Sequence, residues 1–277
     1  MRLLGTEVDL PRALLVGLAG LVALTLVLAG LFSTAAFGAY NPSWDGTSDL
    51  RALADEQADE TVLAREVGAY READPTETVA VVLSPTEAYS ENDTDRLRSF
   101  VARGGTLVVA EDFGPHATPL LAGLGVDTRV NGTLVRDERF YYRAPALPVA
   151  TNVSANHTLT RGVEEVTLNY GTVLDPGANA TVPVSTSAFA HLDTNASGKL
   201  DANETVASFP VVAVEPVGEG RVVAVSDPSI VLNAMLEREG NRQFATNVAG
   251  NGTVLLDLSH TSGVPPLAAA VLVLREA

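Results

Sequence analysis

The sequence predicts an α/β protein: a mainly parallel sheet carrying an antiparallel β insertion, preceded by one N-terminal transmembrane helix. Three observations lead there. Two β-branched runs, Thr78–Leu83 and Thr106–Ala110, flank a stretch of helical period. The middle of the chain is rich in Asn, Thr and Gly with short alternating segments. Residues 13–32 are twenty in a row without a charge.

At a rise of 1.5 Å per residue, twenty residues make about 30 Å, the thickness of a bilayer hydrocarbon core. Pro11 stands just before the run, where a missing N–H costs little. Arg2 and Arg12 precede it and the next basic residue is Arg51. The positive-inside rule therefore keeps residues 1–12 in the cytoplasm and puts the rest outside. A cleaved signal peptide is the rival reading, with small residues around 35–39; such apolar regions usually run about 7–15 residues. In either case the body is exported.

The body starts with a linker and an amphipathic helix over 33–77. Ser48 is a candidate cap, and Leu63, Val67 and Tyr70 recur at helical spacing up to about residue 72. The exported domain is then expected over 78–263. Thr78–Leu83 reads as a strand buried on both faces. A helix over 92–103 ends at Gly104-Gly105, Thr106–Ala110 is the second buried strand, and a short helix over 119–124 ends at Gly125. Strand–helix–strand with a short crossover implies parallel pairing. Residues 127–208 read as the antiparallel insertion, with segments at 163–170 and 180–190. A hairpin over 209–215 and 221–226 turns at residues 218–220. Helical stretches follow over 228–238 and 241–249, and a strand over 253–258 is expected to close the sheet. The apolar segment at 264–277 is too short to span a membrane and is either core or the start of a second membrane helix.

Composition narrows the function. Asp+Glu number 34 against 18 Lys+Arg, a net charge of −16, and Lys199 is the sole lysine beside 17 arginines. That balance excludes a nucleic-acid binder, which needs clustered cations. An acidic, lysine-poor surface suits a salt-rich solvent, in which charges are screened within about 3 Å at ~1 M; codon bias toward Arg is the alternative. The absence of cysteine excludes disulfides, thiolate metal sites and a cysteine nucleophile. Asn-X-Ser/Thr sequons occur at Asn92, Asn131, Asn152, Asn156, Asn179, Asn195, Asn203 and Asn251, where thirteen Asn and forty Ser+Thr in 277 residues predict about two by chance. Such sequons mark exported surface loops.

The run VAVVLSPTEAYSENDTDRLRSFVARGGTLVVAEDFGPHATPLLAGLGV resembles the opening of glutamine-amidotransferase-like α/β domains. The run GRVVAVSDPSIVLNAMLEREGNRQFATNV resembles their later strand–helix–helix. With the anchor and the acidity, the chain is similar to haloarchaeal membrane proteins of the domain of unknown function 4350 family. That resemblance implies a flavodoxin-like sheet and brings no enzymatic role. Glutaminase relatives use a Cys nucleophile, which this chain lacks.

One motif carries sharp chemistry. Residues 193–204 place oxygen donors Asp193, Asn195, Ser197, Asp201 and Glu204 at positions 1, 3, 5, 9 and 12, with Gly198 at the turn position. Lys199 offers its backbone carbonyl at position 7, and Leu200 is an apolar pin. This is the ligand order of an EF-hand calcium loop. Pro210 leaves no room for a long exiting helix, so the loop is expected to be a lone calcium clip between β elements. It would be structural, of modest affinity in the range of about 10⁻⁴–10⁻³ M. A polar, Asx-rich turn is the competing reading.

Weaker candidates stand at strand ends, where open α/β sheets bind ligands: Ser84, Glu111, Asp112, Ser226 and Asp227. They serve either as acid–base groups or as caps and turn formers. His116, His157, His191 and His260 show no metal-ligand spacing. The expectation is a non-enzymatic, membrane-anchored extracellular interaction or ligand-sensing module, touching lipid through its helix, with other envelope proteins as candidate partners. The alternatives are a hydrolase using the strand-end carboxylates, or an accessory subunit of an envelope transport or assembly complex.

Overall fold

A computed structural model of the chain describes the backbone at residues 2–3, 6–7, 10–31, 33–261 and 265. Ten strands and five helices position the sites. The helices are α1 (Leu10–Leu31), α2 (Ser48–Gln57), α3 (Glu91–Ala102), α4 (Ala117–Leu124) and α5 (Glu239–Ala249). The strands, in chain order, are β1 (Glu60–Ala64), β2 (Thr78–Leu83), β3 (Thr106–Ala110), β4 (Val135–Asp137), β5 (Asn152–Val153), β6 (Thr181–Ser185), β7 (Ala190–Leu192), β8 (Pro210–Val217), β9 (Gly220–Val225) and β10 (Thr253–Asp257).

Eight of these strands form one sheet in the order β1-β10-β2-β3-β9-β8-β6-β5. The first five are parallel to one another, and β8, β6 and β5 continue antiparallel. β4 and β7 pair separately within the insertion. Side chains alternate across the sheet as a period of two requires. Val81, Val108, Val223, Val254 and Leu256 face α2, α5 and the insertion. Val82, Leu107, Val109, Val222 and Leu255 face α3 and α4. With both faces covered, the parallel strands read as continuous Val/Ala/Leu runs, which is why they were visible in sequence.

The helices are bounded by local chemistry. Ser90 Oγ accepts the Asp93 N–H (3.2 Å) at the start of α3 and donates to the Asp93 carboxylate (2.7 Å). α4 ends where Gly125 turns left-handed at φ 87°. Buried Glu215 on β8 fastens the insertion to the sheet by accepting the N–H of Asp127 (3.0 Å) and of Thr128 (2.6 Å), and the Thr128 hydroxyl.

The structure corrects several expectations. The helix that begins at Ser48 has Thr47, not Ser48, at its N-cap position, without a side-chain cap bond, and stops at Gln57. Leu63 belongs to β1, while Val67 and Tyr70 lie on a 3₁₀ turn, Val67–Arg71. The apolar spacing there is no single stripe: Leu63 packs on the α2/α5 side of the sheet, whereas Val67 and Tyr70 pack on the α3/α4 side. β10 does not close the sheet at its edge; it inserts between β1 and β2. The expected helix over 228–238 divides into a 3₁₀ turn, Pro228–Val231, and a single helical turn, Asn233–Leu236. The stretch before α2 is docked rather than free: Asn233 Nδ2 donates to Asn41 O (3.1 Å) and Ser43 O (2.6 Å).

α1 covers most of the charge-free run, and each of its side chains described, residues 10–25, is exposed. Among the described residues no helix is long and apolar enough to cross a membrane. The apolar segment 264–277 lies outside the described residues apart from Pro265.

Candidate functional site

The 193–204 segment leaves β7 and ends before β8, so it is a loop between strands with no helix on either side. The chain curls around Asp193, whose side chain is buried. Asp193 Oδ1 accepts the Ser197 N–H (2.9 Å) and Oδ2 the Gly198 N–H (3.0 Å). Two left-handed residues, Ala196 (φ 55°) and Gly198 (φ 77°), make that curl possible. From the far end, Glu204 reaches back: Oε1 accepts the Thr194 N–H (2.8 Å) and Oε2 the Asp201 N–H (3.1 Å). Asn195 Nδ2 donates to Asp201 Oδ2 (2.9 Å), and Ser197 Oγ donates to the Lys199 carbonyl (3.0 Å). All six expected ligands thus belong to one hydrogen-bonded ring.

The electrostatics favour charged carboxylates. Hydrogen bonds from Ser197 and Asn195 hold Asp201 below its ordinary range. The Asp201 N–H does the same for Glu204, joined by the Thr194 N–H and hydroxyl, with burial opposing. His191 on β7 is fully buried, with both ring nitrogens unpartnered among the described residues and Nε2 at 3.9 Å from Glu204 Oε2. The donor chemistry, all oxygen and three of it anionic, suits a hard divalent cation. Among the described residues no group of three or more His, Asp or Glu stands together as a metal site. The carboxylates here are turned onto the loop's own N–H groups instead.

The strand-end candidates are real neighbours. The ladder continues one rung past the strands, through Ser84 N to Ala110 O (2.9 Å) and Glu111 N to Val225 O (3.1 Å). Ser84, Glu111 and Ser226 therefore share a rung and a face of the sheet. Ser84 sits at φ 40°, a rare conformation outside glycine. Glu111, only 1% exposed, accepts Asp112 N–H (3.3 Å) and Ser84 Oγ–H (3.5 Å) on Oε1, while Oε2 and the Ser226 hydroxyl have no partner among the described residues. Burial, then the Asp112 charge, raises the Glu111 carboxyl above its usual range, and burial raises Asp112.

Asp227, fully buried, caps the turn after β9. Its Oδ1 accepts Ser229 N–H (2.8 Å) and its Oδ2 accepts Asn169 N–H (2.6 Å). Burial pushes its carboxyl up to about 7 against those bonds. Gly114 and Gly171 close the space above: a Cβ on the first would meet Glu111 at 2.3 Å, and one on the second would meet Asp227 at 2.6 Å. These carboxylates are packed over rather than displayed.

Sequence reasoning missed a second polar cluster. Asp257, at the end of β10, accepts Tyr70 OH (2.8 Å) and Tyr89 OH (3.1 Å) on Oδ2, and Ser259 N–H (2.8 Å) and Oγ–H (2.6 Å) on Oδ1. Ser259 Oγ also lies 2.8 Å from His260 Nδ1, and the His260 ring stacks on Tyr89 with centroids 3.7 Å apart. Burial, then the Asp257 charge, keeps both tyrosine hydroxyls protonated, far above their ordinary value. The Asp-Leu-Ser-His run was available as a signal, but its place inside the sheet was not. His116 and His157 join neither cluster.

No curated protein matches the sequence. A family model described as Domain of unknown function (DUF4350) matches residues 39–249. Among solved structures, the mmIFT52 N-terminal domain superposes with a TM-score of 0.56 at 16% identity, over 72% of this chain and 86% of that one. Cytoplasmic Protein STM1381 from Salmonella typhimurium LT2 aligns over 74% and 86% of the two chains, at 16% identity and a TM-score of 0.44. The first likeness is one of fold alone.

Proposed function

This chain belongs to the DUF4350 family, and from that premise we propose that it is a non-catalytic interaction module held at the outer face of a membrane, with a calcium ion bracing its insertion. The observation that carries the reading is a partition of the asparagines. All eight that head a sequon are exposed. The other five, Asn41, Asn169, Asn233, Asn241 and Asn247, are buried or half-buried. Asn41 is followed by Pro42, which bars a sequon, and it is wholly buried. Surfaces that receive glycans would divide the residues that way. The apolar run at 13–32 supplies the anchor, and α1 exposes eight large apolar side chains between Leu10 and Leu24 that match lipid better than water.

Calcium fits the 193–204 ring by donor type and by order. Asp193, Asn195, Ser197, Asp201 and Glu204, with the Lys199 carbonyl, would hold it. The ion would supply positive charge that ties the two ends of an anionic loop together. The surroundings favour bracing over sensing: β elements on both sides leave no helix pair to open.

The rival is an acid–base hydrolase at the strand ends. It is favoured by the raised carboxyls of Glu111, Asp112 and Asp227. Against it, Glu111 and Asp227 are closed off beneath Gly114 and Gly171, so no substrate reaches them without rearrangement. Protease added outside intact cells tests the placement. The reading expects the domain to be cut from its anchor while cytoplasmic markers survive; full protection that ends only on lysis would overturn it.

A further inference from the structure

The 3₁₀ turn before β2 and the outer face of α3 enclose a cleft of about 280 Å³ lined by Arg71, Arg96, Arg103, Ser99, Asn92 and Tyr70. The lining follows from helix geometry. Asn92, Arg96, Ser99 and Arg103 recur at i, i+4, i+7 and i+11, one stripe of α3, while Leu97, Phe100 and Val101 fill the core on its other side. Arg71 closes the turn opposite. Tyr70, next to it, is fully buried and meets Phe100 edge-on with centroids 5.3 Å apart, which fixes the turn against the helix. Three guanidinium groups are therefore brought together by packed elements rather than by a loose loop.

Arg96 is paired, and the charges of Arg71 and Arg103 are left without a carboxylate among the described residues. The nearby carboxylates are engaged: Asp93 with Arg96 Nη1 at 2.7 Å, and Asp95, also at the cleft, with Arg98 Nη1 at 2.9 Å. Arg103 Nε donates to the Ser99 carbonyl at 3.2 Å. Arg71 and Arg103 form no ion pair among the described residues, whereas Arg51, Arg136 and Arg242 face carboxylates and Arg139, Arg143 and Arg238 lie over aromatic rings. In a chain of net charge −16, convergence of three arginines runs against the surrounding field. Like charges held together cost energy unless an anion joins them.

We propose that this cleft binds a phosphate group, either free in solution as inorganic phosphate or a small ester, or carried on a lipid headgroup. Guanidinium forks match tetrahedral oxyanions with paired N–H donors, and two or three forks around one group give charge-assisted bonds from several directions. The Ser99 hydroxyl adds a donor. The cleft shares no residue with the 193–204 loop, so either assignment can fail without the other.

The test is titration of the full chain in neutral-lipid nanodiscs with inorganic phosphate, followed by calorimetry or chemical-shift changes, for the wild type and for R71Q/R103Q. The proposal expects one saturable site per chain at millimolar phosphate or tighter, weakened at least tenfold in the double variant with its melting temperature unchanged. Phosphatidic acid placed in the discs then separates the sources. Competition with soluble phosphate identifies the headgroup, and no competition identifies the soluble ion. Absence of saturation up to 10 mM phosphate, or equal affinity in the double variant, would overturn the site.

Discussion

Asp227 puts the clearest single-residue demand on the fold. Its carboxyl is raised in the folded state to about 7 from 3.8. A raised carboxyl stabilises the fold fully below the unfolded value and loses that contribution as pH climbs through the folded one. At ~1.4 kcal/mol per unit, the loss between about pH 4 and 7 is on the order of 4 kcal/mol. Asp227→Asn removes the titration while keeping a cap for the turn. Urea midpoints at pH 5 and 7.5 should differ less in the variant than in the wild type; an unchanged difference would mean that other groups set the slope. Glu215 works the other way: hydrogen bonds from Thr128 and Asp127 outweigh burial and hold its carboxyl low, so its support is lost as pH falls. Residue identities at strand ends were readable from sequence, because Glu111 and Asp227 follow apolar runs. Their burial was not, because Asp227 lies under Gly171 from a distant segment, and Glu111 lies under a local turn at Gly114 whose direction only the fold sets.

Among the elements, the parallel strands were legible because burial on both faces leaves an unbroken apolar run. β10 was read correctly as a strand but at the wrong place, since its position between β1 and β2 is set by pairing across nearly two hundred residues. The helix from Ser48 ends at Gln57 because residues 60–64 pair with β10 as a strand, and the apolar residues beyond the helix fall on opposite faces of the sheet, Leu63 on one and Val67 and Tyr70 on the other. The insertion's short strands, two to five residues each, carry too little pattern for their bounds to be fixed. The 193–204 loop was legible as a ligand order, and its ring of hydrogen bonds emerged only with the fold. For a site with a dissociation constant near 10⁻⁴–10⁻³ M, 10 mM calcium should add about 1.4–2.7 kcal/mol. At ~2–4 °C per kcal/mol for a domain of this size, the melting temperature rises by roughly 3–11 °C. Glu204→Gln should abolish most of that rise, whereas magnesium, which demands tighter octahedral geometry, should not reproduce it. Equal shifts with and without Glu204 would remove the loop as the binding site.

At the scale of the whole molecule, an acidic α/β body, an apolar amino-terminal helix and a surface studded with sequons form a single pattern. The proposed placement, outside a membrane in a salty medium, would account for each of them. Asn195 joins this pattern to the metal loop, since it heads a sequon and is also a ring member whose amide already holds Asp201. A glycan on that amide would remove it as a ligand. Glycopeptide mapping of the chain purified from its native membranes tests both halves together. The account predicts glycans on several of the exposed sequon asparagines and none on Asn195. A chain bare at all eight positions, or one glycosylated at Asn195, would contradict it.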